Sequence, residues 1–376
     1  MQHYLDNSAT TRVCPEAAQA ALEAMTNIYG NPSSTYTLGR EAKKLLDRSR
    51  KQVSDALGCA PGELVFTSCG SESDNWAILG GAEAMKRRGK HVISSLVEHD
   101  AVRRSLDELE SRGFEVTRLR PAADGSIPKE AVMEALREDT VLVTLMLVNN
   151  ETGGVTDIGA IAKALREAGS AALLHTDAVQ GFLKVPFSAK SLGADLISVS
   201  GHKIHAPKGV GALYVRNGLR LKPFILGGSQ EDGRRAGTEA MPQIAAFGEA
   251  CRVGRAGMAE NIARMRALKE EALARLQREI PELRWVESAA PHILSISLPG
   301  WRSEVLMNFL EAREVYVSKS SACKKGGRSH VLEAIGLDAR TIDGAIRIGL
   351  SRETGPEDID ALCRGLKDAR ESLRHA

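Results

Sequence analysis

Ala194-Asp-Leu-Ile-Ser-Val-Ser-Gly-His-Lys-Ile-His-Ala-Pro-Lys-Gly-Val-Gly-Ala-Leu-Tyr-Val215 places two apolar runs on either side of a polar, basic turn. Residues 194–199 read as a buried strand and 210–215 as another, each too short for a helix and bounded by glycine. Between them, Ser200, His202 and Lys203 set a hydroxyl, an imidazole and an ammonium within four residues. A lysine at the end of a buried strand is costly unless it is paired, neutralised or used covalently. Taken alone, the stretch fits a Schiff-base lysine with Ser200 and His202 beside a phosphate. It fits a basic surface loop as well.

The rhythm extends upstream. Apolar runs at 64–67, 91–96, 115–119, 141–148 and 172–175 alternate with helical stretches. Strand–helix alternation of this kind predicts an α/β fold, a mostly parallel central sheet with helices on both faces. Ligands in such sheets sit beyond the carboxyl ends of the strands, so the residues after each run are the candidates. Ser68-Cys-Gly-Ser-Glu-Ser-Asp-Asn75 follows the first run and leads into a helix through Trp76, Ile78, Leu79 and Met85. Val97-Glu-His99 follows the second, and Asn149-Asn-Glu151 the fourth. Thr176-Asp177, with Gln180 one turn on, follows the fifth, and Ser200 to Lys203 the sixth.

Outside this core, residues 4–12 are too polar for a core strand. Pro15 opens a helix with Ala18, Ala21, Leu22 and Met25 on one face, and a second helix runs from about 38 to 57 with Gly58 as its cap. A long amphipathic helix is expected from about 254 to 280, striped by Ile262, Met265, Ala272, Leu276 and Ile280. Strands at 293–298, 314–317 and 345–350 with helices at 303–312 and 356–373 complete a small α+β unit. The expected division is a large α/β domain over 15–254, with 1–14 and 255–376 forming the smaller domain. The 376 residues are 43% hydrophobic and 26% charged with a net charge of +2, ordinary for a globular protein. That balance gives no reason to expect nucleic acid or a membrane as partner, and no run approaches a membrane span. Six cysteines occur without any C-x-x-C pair, and the N-terminus lacks the pattern of a secretion signal. A cytoplasmic enzyme with reduced thiols and no metal is expected.

Pyridoxal phosphate needs an anchoring lysine, a carboxylate at its ring nitrogen, a donor to its phenolic oxygen, a ring on its face and a phosphate cradle. The strand ends supply Lys203, Asp177, Gln180, His99, and Gly70 with Ser71 at a helix start. Each alone has a plainer reading: Asp177 as a helix cap, His99 as a core histidine, Gly70-Ser71 as an ordinary helix start. Their convergence on successive strand ends favours the cofactor.

Tyr4-Leu-Asp-Asn-Ser-Ala-Thr-Thr11, Gly30-Asn-Pro-Ser33, Glu72-Ser-Asp-Asn75, Glu98-His99, Val148-Asn-Asn-Glu151, Asp177-Ala-Val-Gln180, Ser200-Gly-His-Lys203 and Gly209-Val-Gly-Ala-Leu-Tyr214 resemble the cysteine desulfurases. These are fold-type-I pyridoxal phosphate enzymes of the class-V aminotransferase superfamily. The resemblance implies that Lys203 anchors the cofactor, Asp177 and Gln180 meet its ring nitrogen and phenolic oxygen, and His99 stacks on it. Gly70, Ser71, Ser200 and His202 match the phosphate cradle. Thr238 matches a threonine that reaches the phosphate of a neighbouring subunit, which implies a homodimer. Asn149 and Arg347 match the groups that hold the substrate carboxylate, and Asn31 falls in the Gly30–Ser33 motif expected at the substrate site. Cys69 stands where the family has glycine, and Ala236 where serine is common.

Ser320-Ser-Ala-Cys-Lys-Lys-Gly-Gly-Arg328 surrounds Cys323 with three cations, which favour its thiolate, and with two glycines. The resemblance implies that Cys323 attacks the sulfur of cofactor-bound L-cysteine, that alanine departs, and that the persulfide passes to a protein sulfur acceptor. Such acceptors serve iron–sulfur cluster assembly or thiolation. Two other reactions fit the same frame, a selenocysteine lyase and a β-lyase acting on cystine or cysteine. A non-catalytic, cofactor-bound scaffold in a sulfur-transfer complex is the alternative of another class.

Overall fold

The computed structural model of the chain describes residues 2–319 and 327–373. Its central sheet has seven strands: β1 Leu64–Thr67, β2 His91–Ser95, β3 Glu115–Leu119, β4 Thr140–Met146, β5 Leu173–Asp177, β6 Leu196–Ser200 and β7 Gly211–Val215. Their order is β1-β7-β6-β5-β4-β2-β3. Strands β6, β5, β4, β2 and β3 run parallel to their neighbours, whereas β7 runs antiparallel between β1 and β6. The sheet is mostly parallel as expected, and β7 is antiparallel for a simple reason. Residues 201–210, which join it to β6, are too few for a right-handed crossover and return the chain as a hairpin.

Alternation along the strands sends side chains to both faces. Ile93, Val143, Leu174, Ile197 and Val199 join the core cluster that includes Leu45, Ala17 and Phe247. Val92, Leu142 and Leu173 join Ile78 and Leu106 on the other side, and Leu196 joins Trp76 and Val65. Strands buried on both faces explain why these runs read as continuously apolar. The first face is covered by α1 (Pro15–Thr26), α2 (Thr37–Leu57) and a later helix; the second by α3 (Gly70–Asn75), its continuation to Met85, and α4 (Asp100–Ser111). Gly58 ends α2 in the left-handed region, φ 70°, as its position predicts.

Two helix readings are corrected. On α1, Ala17 and Ala24 are buried, whereas Leu22 and Met25 are about half exposed. The larger apolar side chains marked a face, but it is the alanine face that packs, because only small residues allow the close approach of the neighbouring helix α5 (Met241–Ala256). The long helix expected from 254 begins instead at Met258, since Gly257 separates α5 from α6 (Met258–Glu279). Its stripe is as predicted: Ile262, Met265, Ala272, Leu276 and Ile280 are all buried.

A second core gathers these residues with Leu5, Leu294, Ile296, Ile346, Ile348 and Ile359. It lies between helices and a four-stranded sheet of β8 Arg284–Val286, β9 Ile293–Ser297, β10 Ser318–Lys319 and β11 Ala345–Gly349, ordered β10-β11-β9-β8. Residues 4–12 are less peripheral than their polarity suggests. His3–Tyr4 pairs with Val315–Tyr316, Asn7 and Ser8 are buried, and the segment runs on toward the carboxyl ends of β5 and β6.

One buried ion pair fastens the loop that carries Thr238. Arg50 on α2 makes two hydrogen bonds to Glu231, at 2.9 and 2.6 Å, and Glu231 also accepts the Phe66 N–H at 3.0 Å. Glu231 holds φ 49°, a strained value for a residue with a side chain, and is 7% exposed. Glu231→Ala strips Arg50 of its ion pair, leaving it the Leu64 carbonyl at 2.9 Å, and leaves the Phe66 N–H unmet. We expect it to lower unfolding stability by about 3 kcal/mol, read as a fall in the urea midpoint at unchanged slope.

Candidate active site

The carboxyl ends of β1, β2, β4, β5 and β6 open on one cleft of about 380 Å³, the size expected of a small-molecule site. Gly70, Ser71, His99, Asp177, Gln180, Ser200, His202, Lys203 and Arg347 all line it. Asp177 is the last residue of β5 and sits in register with Met146 and Ser198 on either side. Its Oδ1 accepts the Val179 N–H at 2.9 Å. Burial pushes its carboxyl up, opposed by His99, the Val179 N–H and Lys203. Lys203 Nζ donates to the carbonyl oxygens of Ser8 at 2.5 Å and Ala9 at 2.8 Å. Gln180 Nε2 also donates to Ser8 O, at 2.8 Å. The N-terminal segment therefore closes one side of the site. Sequence reasoning missed Ser8 and Ala9, which act through backbone carbonyls and carry no side-chain signature.

His99 caps α4, its Nδ1 accepting the Ala101 N–H at 3.1 Å. That bond leaves the ring proton on Nε2. His202 is neutral: burial first, then the Lys203 charge, pulls it down to about 4. Its Nδ1 lies 3.2 Å from Thr10 Oγ1.

The cleft fits pyridoxal phosphate on three observations. Ser200 Oγ and Gln180 Oε1 are buried without a hydrogen-bond partner among the described residues, as polar atoms are when a ligand completes them. A Cβ at Gly70 would stand 2.8 Å from Val179 Cγ2, so glycine keeps the floor of the cradle open. The first N–H groups of α3 have no intrahelical partner and face the anion-binding end of a helix.

Arg347, on β11, forms the opposite wall and is 2% exposed. Its Nη1 donates to Asn150 O at 2.9 Å, and its Nη2 to Asp6 Oδ1 at 3.1 Å and Ser318 Oγ at 2.9 Å. Its Nε has no partner among the described residues. A planar fork with unspent donors suits a carboxylate. Replacement by lysine keeps the charge and loses the fork. Arg347→Lys should raise KM for the amino-acid substrate about 10- to 100-fold, the cost of one to two charged hydrogen bonds, with a smaller change in kcat in steady-state assays.

Asn149 is not where the family pattern led us to expect a ligand group. Its Oδ1 accepts the N–H groups of Glu151 and Thr152, and its Nδ2 donates to Val97 O at 3.1 Å. The side chain holds the turn after β4 and does not line the cleft; the next residue, Asn150, does. Asn31 and Thr238 are likewise absent from the cleft of their own chain. Both are exposed and line a separate hollow with Tyr29 and Gly30. Cys323 lies outside the described residues. Cys69 lines the cleft, whereas Cys14, Cys251 and Cys363 are buried and unreactive in setting; burial pushes Cys59 up to about 12 and Cys363 to about 11. Besides Asp177 the cleft is lined by four acidic residues to which the sequence reading gave no role, Asp74 on α3, Glu98 after β2, Asp100 and Glu151.

The class-V aminotransferase family model matches residues 3–362. A cysteine desulfurase IscS of Methanosarcina thermophila is 38% identical over 377 residues, covering 99% of this chain and 93% of that protein. Among solved structures, a NifS-like protein superposes with a TM-score of 0.93 at 34% identity, covering 99% of this chain and 100% of the other. A second, described as SspA in complex with cysteine, superposes at 0.80 with 32% identity over 94% of this chain and 100% of the other. With the family model spanning nearly the whole chain and relatives at this identity over almost their full length, the protein belongs to the pyridoxal phosphate-dependent cysteine desulfurases of the class-V aminotransferase family.

Proposed function

We propose that the protein removes sulfur from L-cysteine, releases alanine, and carries the sulfur on Cys323 to a protein acceptor. The observation that carries this reading is the meeting of Lys203, Asp177, Gln180, His99 and Ser200 in one cleft, with Arg347 facing them across it. The similar protein solved in complex with cysteine supports the choice of substrate.

Arg347 would bind the substrate carboxylate and so fix the orientation of the bonds at Cα. Pyridoxal phosphate, when bound, supplies an electron sink next to Cα. Asp177 would meet the ring nitrogen, Gln180 the phenolic oxygen and His99 the ring face. Lys203 Nζ would anchor the cofactor, and its amine is the group placed to take the Cα proton. His99 Nε2, which carries the ring proton, would be placed to donate it to the substrate. The Cys323 thiolate then attacks the substrate sulfur: an S–S bond forms, the Cβ–S bond breaks, and its electron pair leaves with the alanine skeleton, which gains a proton at Cβ.

Brief exposure to L-cysteine, quenched and digested, should show the Cys323 peptide heavier by one sulfur atom, with alanine formed in parallel. Pyruvate and ammonia in place of alanine, no sulfur on Cys323, and undiminished turnover in Cys323→Ala would replace this reading with a β-lyase.

A homodimer is part of the same proposal. Tyr29 (67% exposed), Tyr36 (58%) and Leu226 (82%) are apolar side chains left uncovered by their own chain, and patches of this kind mark interfaces. Thr238 stands beside Tyr29 in the same hollow, as it would if it served a neighbour's cofactor. The two separate cores support the division into a large domain over 15–254 and a smaller one from the remainder. We also place the protein in the cytoplasm: its described cysteines are free, and no helix among the described residues is long and apolar enough to cross a membrane.

A further inference from the structure

Three carboxyl groups line the cleft where the ring nitrogen of the cofactor would lie: Asp74, Glu98 and Asp177, at 1%, 1% and 6% exposure. Carboxylates gathered in one buried place cannot all ionise, because each charge is desolvated and raises the cost of the next. The cations near them are few. Lys203 is committed to the Ser8 and Ala9 carbonyls, and His99 opens toward the cleft.

His175 is a further basic group beside Asp74, with Nε2 at 3.6 Å from Oδ1. It is not a counter-ion. That separation is too long for a hydrogen bond. The ring is wholly buried, and both of its nitrogens are spoken for, Nδ1 at 2.8 Å from Thr144 Oγ1 and Nε2 at 3.0 Å from Ser198 Oγ. Burial pulls it down to about 3, so it is neutral.

Thr144, His175 and Ser198 lie on the face of the sheet that α3 covers, His175 two residues before Asp177 on β5 and Ser198 in register with Asp177, and the Ser198 hydroxyl also lies against Asp74. The neighbours of Asp74 are thus Ser198, a neutral histidine, the Cys69 thiol and two more carboxyl groups, Asp177 and Glu98. Asp74 Oδ1 and Glu98 Oε2 have no hydrogen-bond partner among the described residues. An ionised carboxylate with a bare, buried oxygen is costly, whereas a neutral acid there is tolerable. The group is not arranged as a metal site among the described residues.

We propose that Asp74 is a positioning residue for Asp177: held as a neutral carboxylic acid, with Glu98 neutral beside it, it confines the single negative charge of the cluster to Asp177, facing the ring nitrogen. Burial, then the Asp177 charge, pushes Asp74 well up, and burial pushes Glu98 to about 8, in agreement with this assignment. Ionisation of Asp74 would push the proton onto Asp177 and remove the ring nitrogen's partner. The Ser198 hydroxyl opposes the upward push on Asp74 and is outweighed by burial and by the Asp177 charge. The inference rests on the pyridoxal phosphate reading for its consequence, and on the protein alone for the protonation.

Infrared spectroscopy of the full chain, freed of cofactor at neutral pH, tests the protonation. Wild type should absorb in the C=O stretch region of protonated carboxyl groups, Asp74→Asn should lose part of that absorption, and Glu98→Gln added to it should lose more. If Asp74→Asn instead removes only ionised-carboxylate absorption, the proposal is overturned. The positioning role has its own readout in cofactor affinity. Because Asp74→Asn replaces one neutral polar group with another, cofactor dissociation should change less than about threefold, whereas Asp74→Ala, which abandons the Ser198 contact, should weaken it about tenfold. Removal of a true negative charge next to Asp177 would shift that carboxyl by at least about one pH unit, so a tenfold effect of Asp74→Asn itself on affinity overturns the idea. Equal affinity in Asp74→Ala and Asp74→Asn overturns the positioning role. A wild-type chain that takes up no cofactor would count against the functional reading and leave the infrared result standing.

Discussion

Lys203→Ala should lower L-cysteine turnover by about 10⁴-fold or more, and the chain should still fold. The magnitude follows from two losses at one residue. Proton transfer by a positioned base contributes about 10²–10⁴-fold, and the covalent hold on the cofactor adds orientation that a freely bound cofactor lacks. The amine is well placed for both. The hairpin turn between β6 and β7 aims it into the cleft, and the carbonyl oxygens of Ser8 and Ala9, 2.5 and 2.8 Å from Nζ, give it a resting position that costs the fold nothing when the amine is used elsewhere. Borohydride reduction followed by mass analysis should add the cofactor's mass to wild type at the Lys203 peptide and add nothing in the variant. Lys203→Arg should be as inactive as Lys203→Ala, because a guanidinium stays protonated and cannot act as a nucleophile. Turnover within about a hundredfold of wild type in Lys203→Ala, against the 10⁴ expected, would remove Lys203 from the centre of the mechanism.

What the sequence made legible, and what it hid, divides along physical lines. Runs such as 141–148 and 195–199 were readable as strands because burial on both faces forces them apolar along their whole length. Asp177, Ser200 and Lys203 were readable because the end of a buried strand is an expensive place for polar groups. The direction of β7 was hidden until loop length was weighed. The packed face of α1 was hidden because alanines, not Leu22 and Met25, permit close helix contact. Asn149 was ambiguous for another reason: an amide that can hold a ligand can equally hold a turn, and here both of its ends meet backbone groups. Ser8 and Ala9 work through main-chain oxygens, which every residue has. Asp74 sits one turn into a helix whose first residues already had a reading, so its aim into the cleft had no separate signal.

Asp177→Asn should separate activity from stability in opposite directions. The amide keeps the size of the carboxylate, and its oxygen can still accept the Val179 N–H that now binds Oδ1 at 2.9 Å. What disappears is the negative charge that holds a proton on the ring nitrogen. A fixed charge in a site shielded from water is among the larger single contributions to catalysis, and kcat should fall about 10²–10³-fold. KM for L-cysteine should move little, since the substrate carboxylate meets Arg347 on the other wall. Stability should move the other way. Burial pushes the Asp177 carboxyl up, so its ionised form is held at a cost to the folded state, offset only in part by His99 and Lys203. With the folded value raised above the unfolded one, that cost is absent in acid, where Asp177 is protonated in both states. It sets in as pH rises through the range where only the unfolded chain has lost the proton. Removing the carboxyl removes the cost. The Tm of the cofactor-free chain at neutral pH should therefore rise in Asp177→Asn, and the gain should shrink as pH is lowered. A residue that served packing alone would lose both stability and activity on substitution. A fall in Tm together with a fall in kcat would therefore deny Asp177 its electrostatic role.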